Sequence, residues 1–310
     1  MKVAALAGGV GGAKLVKGFS QILPDGDLTV IVNTGDDFEH YGLHISPDID
    51  AVVYSLADHV DPKHGYGREN DSYNCFDALL EFNENPWFRL GDKDIALHLT
   101  RTSLLRTGKS LTEATSTICE ALGVSVKILP MTDDPVYTMI ETKELGELTF
   151  QEYFVKHRFE PEILKIEYKK SEMSTLSPGV TDAITCADLI VICPSNPWLS
   201  IFPILNIGNI DTLLTQKRVI AVSPIIEHKS IKGPAAKIFS ELGQKPSAAG
   251  VAELYKRWLS GMIIDTLDID ESKQIESLGI KVAVTDIMMR DDASKRRVAE
   301  KVLEFAESVI

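Results

Sequence analysis

The chain has 310 residues, of which 44% are hydrophobic and 25% charged. That is ordinary globular composition, long enough to bury a core without disulfide or metal staples, and it excludes a disordered or fibrous chain. A net charge of −13 repels nucleic-acid backbones and anionic lipid heads, so neither partner is expected.

Seven short apolar runs read in chain order as buried parallel strands: residues 2–7, 28–33, 126–130, 189–194, 219–224, 262–267 and 281–286. Helical stretches fall between them at 13–22, 111–122, 208–215, 234–242, 249–259 and 291–309, the last with an apolar stripe at Val298, Val302, Phe305 and Val309. This alternation predicts an α/β fold, a doubly wound, Rossmann-like, mostly parallel sheet with both faces covered. Two stretches break the rhythm. Residues 51–110 are polar, glycine-containing and aromatic, and 132–178 carry a hairpin-like pair (136–142 and 163–169) around a helix-like 150–158. Both are expected as helical and hairpin insertions near the C-terminal edge of the sheet, where such folds place their ligand crevice. With no linker or repeat in view, the 310 residues read as one elaborated domain.

None of the four cysteines, Cys75, Cys119, Cys186 and Cys193, forms a CxxC pair, which argues against a zinc ribbon or thioredoxin-type motif. Cys119, Cys186 and Cys193 border or occupy apolar runs and are expected to be buried, inert thiols. The apolar start of the chain breaks at Gly8-Gly9 before it amounts to a signal peptide or a membrane span. A soluble, cytoplasmic protein is the expectation.

Four segments carry chemistry. Gly8-Gly9-Val10-Gly11-Gly12-Ala13-Lys14-Leu15 follows the first strand, and glycines there let backbone N–H groups approach a phosphate. Ala13 and Leu15 around Lys14 deny it the ending of a Walker A loop, and Lys14 stands where a dinucleotide fingerprint has Gly or Ala. A tight turn that uses glycine for packing alone is the competing explanation. Asn33-Thr34-Gly35-Asp36-Asp37 and His44-Ile45-Ser46-Pro47-Asp48-Ile49-Asp50 place four aspartates within fifteen positions. Such a group suits Mg²⁺ on a diphosphate, although an Asp pair after a strand also caps helices. His40 and His44 lack the third ligand that a zinc site needs. In Asn85-Pro86-Trp87-Phe88-Arg89-Leu90-Gly91-Asp92-Lys93-Asp94, the aromatic rings can stack on a planar ligand and Arg89 can pair with an anion. Arg101 and Arg106 read as either phosphate contacts or solvated surface. Finally, Cys193-Pro194-Ser195-Asn196-Pro197 ends a strand, where Ser195 and Asn196 can hydrogen-bond a base, ribose or phosphate. No G-x-S-x-G elbow accompanies Ser195, which argues against a serine triad.

In combination, these segments resemble the 2-phospho-L-lactate transferase family of deazaflavin coenzyme F-420 biosynthesis, in its methanogen type, over essentially the whole chain. The resemblance implies transfer of 2-phospho-L-lactate from lactyl-2-diphospho-5'-guanosine to the terminal ribityl hydroxyl of Fo (7,8-didemethyl-8-hydroxy-5-deazariboflavin), releasing GMP. It also implies Mg²⁺ and a homodimer, and it puts Asp50 and Arg89 against Fo with Asp50 near the attacking hydroxyl. Trp87 or Phe88 would flank the deazaflavin ring. Gly9, Gly11, Gly12 and Lys14 would hold the diphosphate, with Asn33 beside the substrate and Ser195 and Asn196 on the guanosine side. Asp48 and Asp50 are the metal candidates, Asp36 or Asp37 standing in reserve; Asp50 is also the candidate base, and those two roles compete. The alternative is a non-catalytic, nucleotide-sugar-binding regulator of the gluconeogenesis-factor-like group, against which the Trp87–Asp94 block argues.

Overall fold

The computed structural model describes residues 1–62, 64–82, 86–230 and 233–309. The chain opens with β1 (Val3–Ala7), α1 (Gly9–Ser20) and β2 (Leu28–Val32). A small antiparallel hairpin, β3 (Phe38–His40) and β4 (Leu43–Ile45), leads into α2 (Pro47–Leu56). Helices α3 (Asn74–Glu81), α4 (Asp92–Arg106) and α5 (Leu111–Ala121) precede β5 (Lys127–Pro130). A separate antiparallel sheet follows, built from β6 (Tyr137–Thr142), β7 (Gly146–Thr149) and β8 (Ile163–Lys169). Next come α6 (Val180–Cys186), β9 (Leu189–Ile192), α7 (Phe202–Leu205), α8 (Ile210–Leu214) and β10 (Val219–Val222). After the two-residue strands β11 (Ile225–Ile226) and β12 (Lys229–Ser230) come α9 (Ala235–Glu241), α10 (Ala248–Tyr255) and β13 (Gly261–Ile264). The chain ends with α11 (Ser272–Glu276), β14 (Lys281–Val284) and α12 (Asp292–Ser308).

The main sheet has seven strands in the order β14-β13-β10-β9-β1-β2-β5, and every neighbouring pair is parallel. All seven expected runs are in it. The chain winds outward from β1 to β5, then returns to the other side of β1 as β9. The winding direction therefore reverses between β1 and β9, and a crevice opens at their C-terminal ends. Successive strand residues face opposite ways: Ala4, Leu6, Ile190 and Ile192 enter one buried cluster, while Val3, Ala5, Leu189 and Val191 enter the other. Each fully buried Ile, Leu or Val stabilises the sheet by about 1.5–3 kcal/mol. One face is covered by α1, α2, α5 and α12, the other by α6 to α11 and the three-stranded sheet. Capping boxes at Ser110/Glu113 and Asp291/Ser294 fix the starts of α5 and α12.

Three expectations change. The first helix begins at Gly9, not at residue 13, so the glycines form its opening turn. Residues 51–110 hold to the expected helical insertion, with α3 and α4 inside it; α4 buries Leu97, His98, Arg101 and Thr102, a face with no apolar stripe for periodicity to detect. The helix-like 150–158 is a short π-helical turn, Glu152–Lys156, and the hairpin gains a third strand in β7. Cys119 and Cys193 are buried, but Cys186 is exposed, because Val180 and Ile184 occupy the inward side of α6. No helix among the described residues is long and apolar enough to cross a membrane.

Candidate active site

The turn after β1 is shaped by what crowds it. Gly8 is extended and Gly9 sits at φ +62, a left-handed conformation that glycine adopts freely. A Cβ at Gly8 would lie 2.2 Å from Asp48 Oδ2, at Gly11 2.3 Å from the Pro194 carbonyl, and at Gly12 2.5 Å from Ser195 Oγ. Close packing against α2 and the segment after β9 therefore demands these glycines, whatever ligand the turn also holds. Ser195 Oγ donates to the Gly8 carbonyl at 2.7 Å and accepts from the Gly8 N–H at 3.2 Å, tying the two strand ends together. Asn196 Oδ1 accepts from Trp198 and Leu199 N–H and caps the π-helical turn Pro197–Ile201. Lys14 lies partly exposed on α1.

Asp48 Oδ1 accepts the Gly9 N–H at 2.7 Å, so an acid of the chain itself already occupies part of the positive end of α1. Asn33, fully buried at the end of β2, organises the acids around it. Its amide nitrogen lies 2.9 Å from Asp48 Oδ2, 3.1 Å from Asp36 Oδ1 and 3.1 Å from the Leu199 carbonyl, and its carbonyl accepts from Gly35 N–H. Gln151, arriving from the three-stranded sheet, donates to Asp36 Oδ2 at 3.1 Å. Asp37 Oδ2 accepts from Ser46 Oγ at 2.6 Å and meets His44 Nε2 at 3.1 Å, while its Oδ1 is buried without a partner. Burial raises the carboxyl of Asp36 well above its ordinary range, and Asp48 and Asp37 add repulsion. Burial also raises Asp37, and it pushes Asp48 up to about 6 despite the donors Asn33, Gly9 and Ser200. None of the described ion pairs brings a Lys or Arg to Asp36 or Asp48.

Asp50 faces the other way. Residues two apart on a helix point to opposite sides, so Asp50 looks across to α4, away from Gly9. Both terminal nitrogens of Arg101 meet its carboxylate, Nη1 at 3.2 Å from Oδ2 and Nη2 against Oδ1. His98 Nδ1 stands 3.4 Å from Arg101 Nη1 and 3.7 Å from Asp50 Oδ2. Burial lowers His98 to about 4, so the ring is neutral at neutral pH. The expectation for Arg101 is thus overturned: it is 0% exposed, neither a surface group nor a free phosphate contact. Arg106 is exposed and donates to the Gly42 carbonyl at 3.0 Å.

The hairpin strand β3 carries an aromatic cluster. Phe38 packs edge-on to Phe88 at 4.9 Å and beside Trp87 at 5.9 Å, and His40 lies 5.6 Å from Trp87. Arg89 is exposed and stacks over Tyr73, its Cζ 3.8 Å from the ring centroid. Asp92 receives Ser72 Oγ, Asn74 N–H and Cys75 N–H, and Asp71 receives the Lys93 and Asp94 N–H groups, which staples the starts of α3 and α4 together. Asn85 lies outside the described residues.

The two metal candidates are therefore separated. Asp48, with Asp36 and Asp37, fits a divalent cation: the buried Asp36 and Asp48 and the partly buried Asp37 repel one another, and Asp37 has one unpartnered oxygen. Asp50 does not fit, because Arg101 already neutralises it. Among the described residues no three His, Cys, Asp or Glu side chains converge as a metal site, so these carboxylates alone do not enclose an ion, and water and substrate oxygens would have to supply its other ligands, as they do for Mg²⁺. Motif reading missed His98, Gln151 and Ser200, and it named Arg101 without the partner, Asp50, that the fold gives it. A separate cavity of about 230 Å³, lined by Lys17, Gln21, Asp25 and Val126 among others, lies at the opposite, N-terminal edge of the sheet.

Fold and site together define a doubly wound α/β protein whose glycine turn and buried acids meet at the topological switch point. The family model of 2-phospho-L-lactate transferase CofD matches residues 3–302. A 2-phospho-L-lactate transferase of Methanosarcina acetivorans is 38% identical over 304 residues, covering 98% of this chain and 99% of its own. One from Methanopyrus kandleri is 38% identical over 312 residues, covering 100% and 99%. A phosphoenolpyruvate transferase of Streptomyces griseus is 37% identical over 316 residues, again covering 100% and 99%. In fold, the chain is similar to a crystal structure of a UPF0052 family member from Bacillus halodurans, with TM-score 0.66 at 15% identity over 97% of this chain and 98% of that one. The chain belongs to the CofD family of transferases.

Proposed function

We propose that this transferase moves 2-phospho-L-lactate from lactyl-2-diphospho-5'-guanosine to the terminal ribityl hydroxyl of Fo, releasing GMP, a step of coenzyme F-420 biosynthesis. The observation that carries the reading is the division of labour on α2, where Asp48 faces the glycine turn and Asp50 faces α4, held there by Arg101 with His98 beside it. In this reading the opening turn of α1, with Lys14, receives the diphosphate, and the segment from Ser195 to Asn196 borders the guanosine. Mg²⁺ held by Asp48 with Asp36 or Asp37 would supply charge neutralisation on the phosphoryl oxygens. Trp87 and Phe88 flank the deazaflavin, and Arg89 engages it from the loop.

Asp50 accepts a hydrogen bond from the ribityl hydroxyl and receives its proton as the new O–P bond forms. The P–O bond to GMP breaks, and GMP leaves with the electron pair. Phosphoryl transfer of this kind depends chiefly on alignment and charge stabilisation, and an aspartate with a fixed orientation supplies the first. Assembly as a homodimer in the cytoplasm belongs to the same proposal.

The Streptomyces relatives named for phosphoenolpyruvate are as similar to this chain as the methanogen enzymes, which favours a phosphoenolpyruvyl donor as the second reading. Mass spectrometry of reactions offering lactyl, phosphoenolpyruvyl and glyceryl guanosine donors with Fo distinguishes them; the expected product carries phospholactate. Binding of a nucleotide sugar with no Fo binding and no product from any donor would replace the transferase reading with the regulatory one.

A further inference from the structure

Arg101 is 0% exposed and heads the largest fully buried side chains. It reaches Asp50 from a helix 51 residues further along the chain. Burying an ion pair costs so much hydration that a well-packed apolar pair is commonly as stable or more so. The pair is therefore a poor device for stability alone, and its geometry suggests what else it does. The guanidinium meets both carboxylate oxygens, a two-point contact that fixes the plane of the carboxylate as well as its position. His98, three residues earlier on α4, braces Nη1 on the same side. Asp50 is 5% exposed, and each of its oxygens keeps a further lone pair once Arg101 is bound.

We propose that Arg101 is the positioning residue of Asp50: its two-point grip, braced by His98, orients the carboxylate for the hydroxyl of the acceptor. The inference rests on the transferase reading above for Asp50's role, and it adds a determinant on α4 that no motif contains. A second consequence concerns the metal. By neutralising Asp50, Arg101 keeps it out of the cation cluster two residues away, so one turn of α2 serves two charge states without mixing them.

The test is a double-mutant cycle on the full chain, with steady-state transfer, Fo binding by deazaflavin fluorescence, and near-UV circular dichroism for folding. Arg101→Lys keeps the charge and loses the fork. It is expected to lower kcat about 100-fold, the scale of a misplaced catalytic group, with the KM for the guanosine donor within about twofold of wild type. In an Asp50→Asn background the same change is expected to add less than about twofold, because Arg101 then has no carboxylate to orient. Arg101→Gln is run in parallel, and Asp50→Asn/Arg101→Gln removes both charges, so a folding defect in one single variant still leaves a comparison. Wild-type kcat in a folded Arg101→Lys protein, or losses that multiply across the two positions, would overturn the proposal. Absence of Fo binding and transfer in the wild-type enzyme would instead overturn the transferase reading.

Discussion

Asp48 and Asp50 stand two residues apart on the first turn of α2, and both are nearly fully buried, yet they live in opposite electrostatic worlds. Asp48 sits among Asp36 and Asp37 with backbone, amide and hydroxyl donors, and none of the described ion pairs brings it a Lys or Arg; burial leaves its carboxyl raised to about 6. Asp50 is gripped by a buried guanidinium. The first arrangement stores a demand for positive charge that a ligand can meet. The second has met that demand from within the chain and is rigid. One side of the helix suits a cation and its phosphates, the other a hydroxyl that must be held still.

The sharpest way to break this comparison is Asp50→Asn. It keeps the shape and removes the charge, and it is expected to reduce transfer about 10³-fold, within the range spanned by lost acid–base groups. Because it strands the buried guanidinium it is also expected to cost about 3–5 kcal/mol in unfolding, so activity is compared below the variant's own Tm, where circular dichroism shows it folded. Near-normal turnover in that variant would remove Asp50 from the chemistry. Truncating the other partner tests the rigidity. Arg101→Ala strands the buried carboxylate and is expected to cost about 3–5 kcal/mol in urea unfolding; a loss below about 1 kcal/mol would mean that Asp50 is solvated in a way its burial denies. Gly12→Ala should be milder. Its methyl group would meet Ser195 Oγ and the Ala7 side chain, overpacking that is expected to cost about 1–3 kcal/mol, and any fall in donor affinity would report how far the turn had moved.

Legibility in the sequence divides along the same line. Buried parallel strands are contiguous apolar runs, so residues 189–194 or 262–267 announce themselves, and α12 does so through Val298, Val302 and Phe305. The acids and glycines were visible as motifs, yet the reason for Gly11 and Gly12 lay in Pro194 and Ser195, whose proximity only the winding of β9 beside β1 creates. Arg101 was the hardest to read. It lies in a helix whose buried face carries His98 and Thr102, and its partner is distant in sequence. A charged residue that serves the interior looks like any surface charge until the fold closes over it.

The cation side can be sharpened through pH. Asp48 titrates near 6 in the folded chain against an ordinary value of 3.8, so between those values the native state binds more protons than the unfolded one. Stability therefore falls as pH rises from about 4 to about 6 and stays lower above that; Asp36 and Asp37, also raised by burial, act in the same direction. In the proposed reading, a divalent ion would bind the ionised cluster and compete with those protons. Magnesium is accordingly expected to raise Tm at pH 8 by on the order of 2–5 °C at saturating concentration and to do little at pH 5, where Asp48 is protonated. Asp48→Asn removes one of the repelling charges but also one of the two acceptors that Gly9 N–H and Asn33 use, so its readout is the magnesium response, most of which it should lose. An equal magnesium shift at both pH values, or a full shift in Asp48→Asn, would place the ion elsewhere and leave the raised carboxyls as a cost of folding with no ligand to offset it.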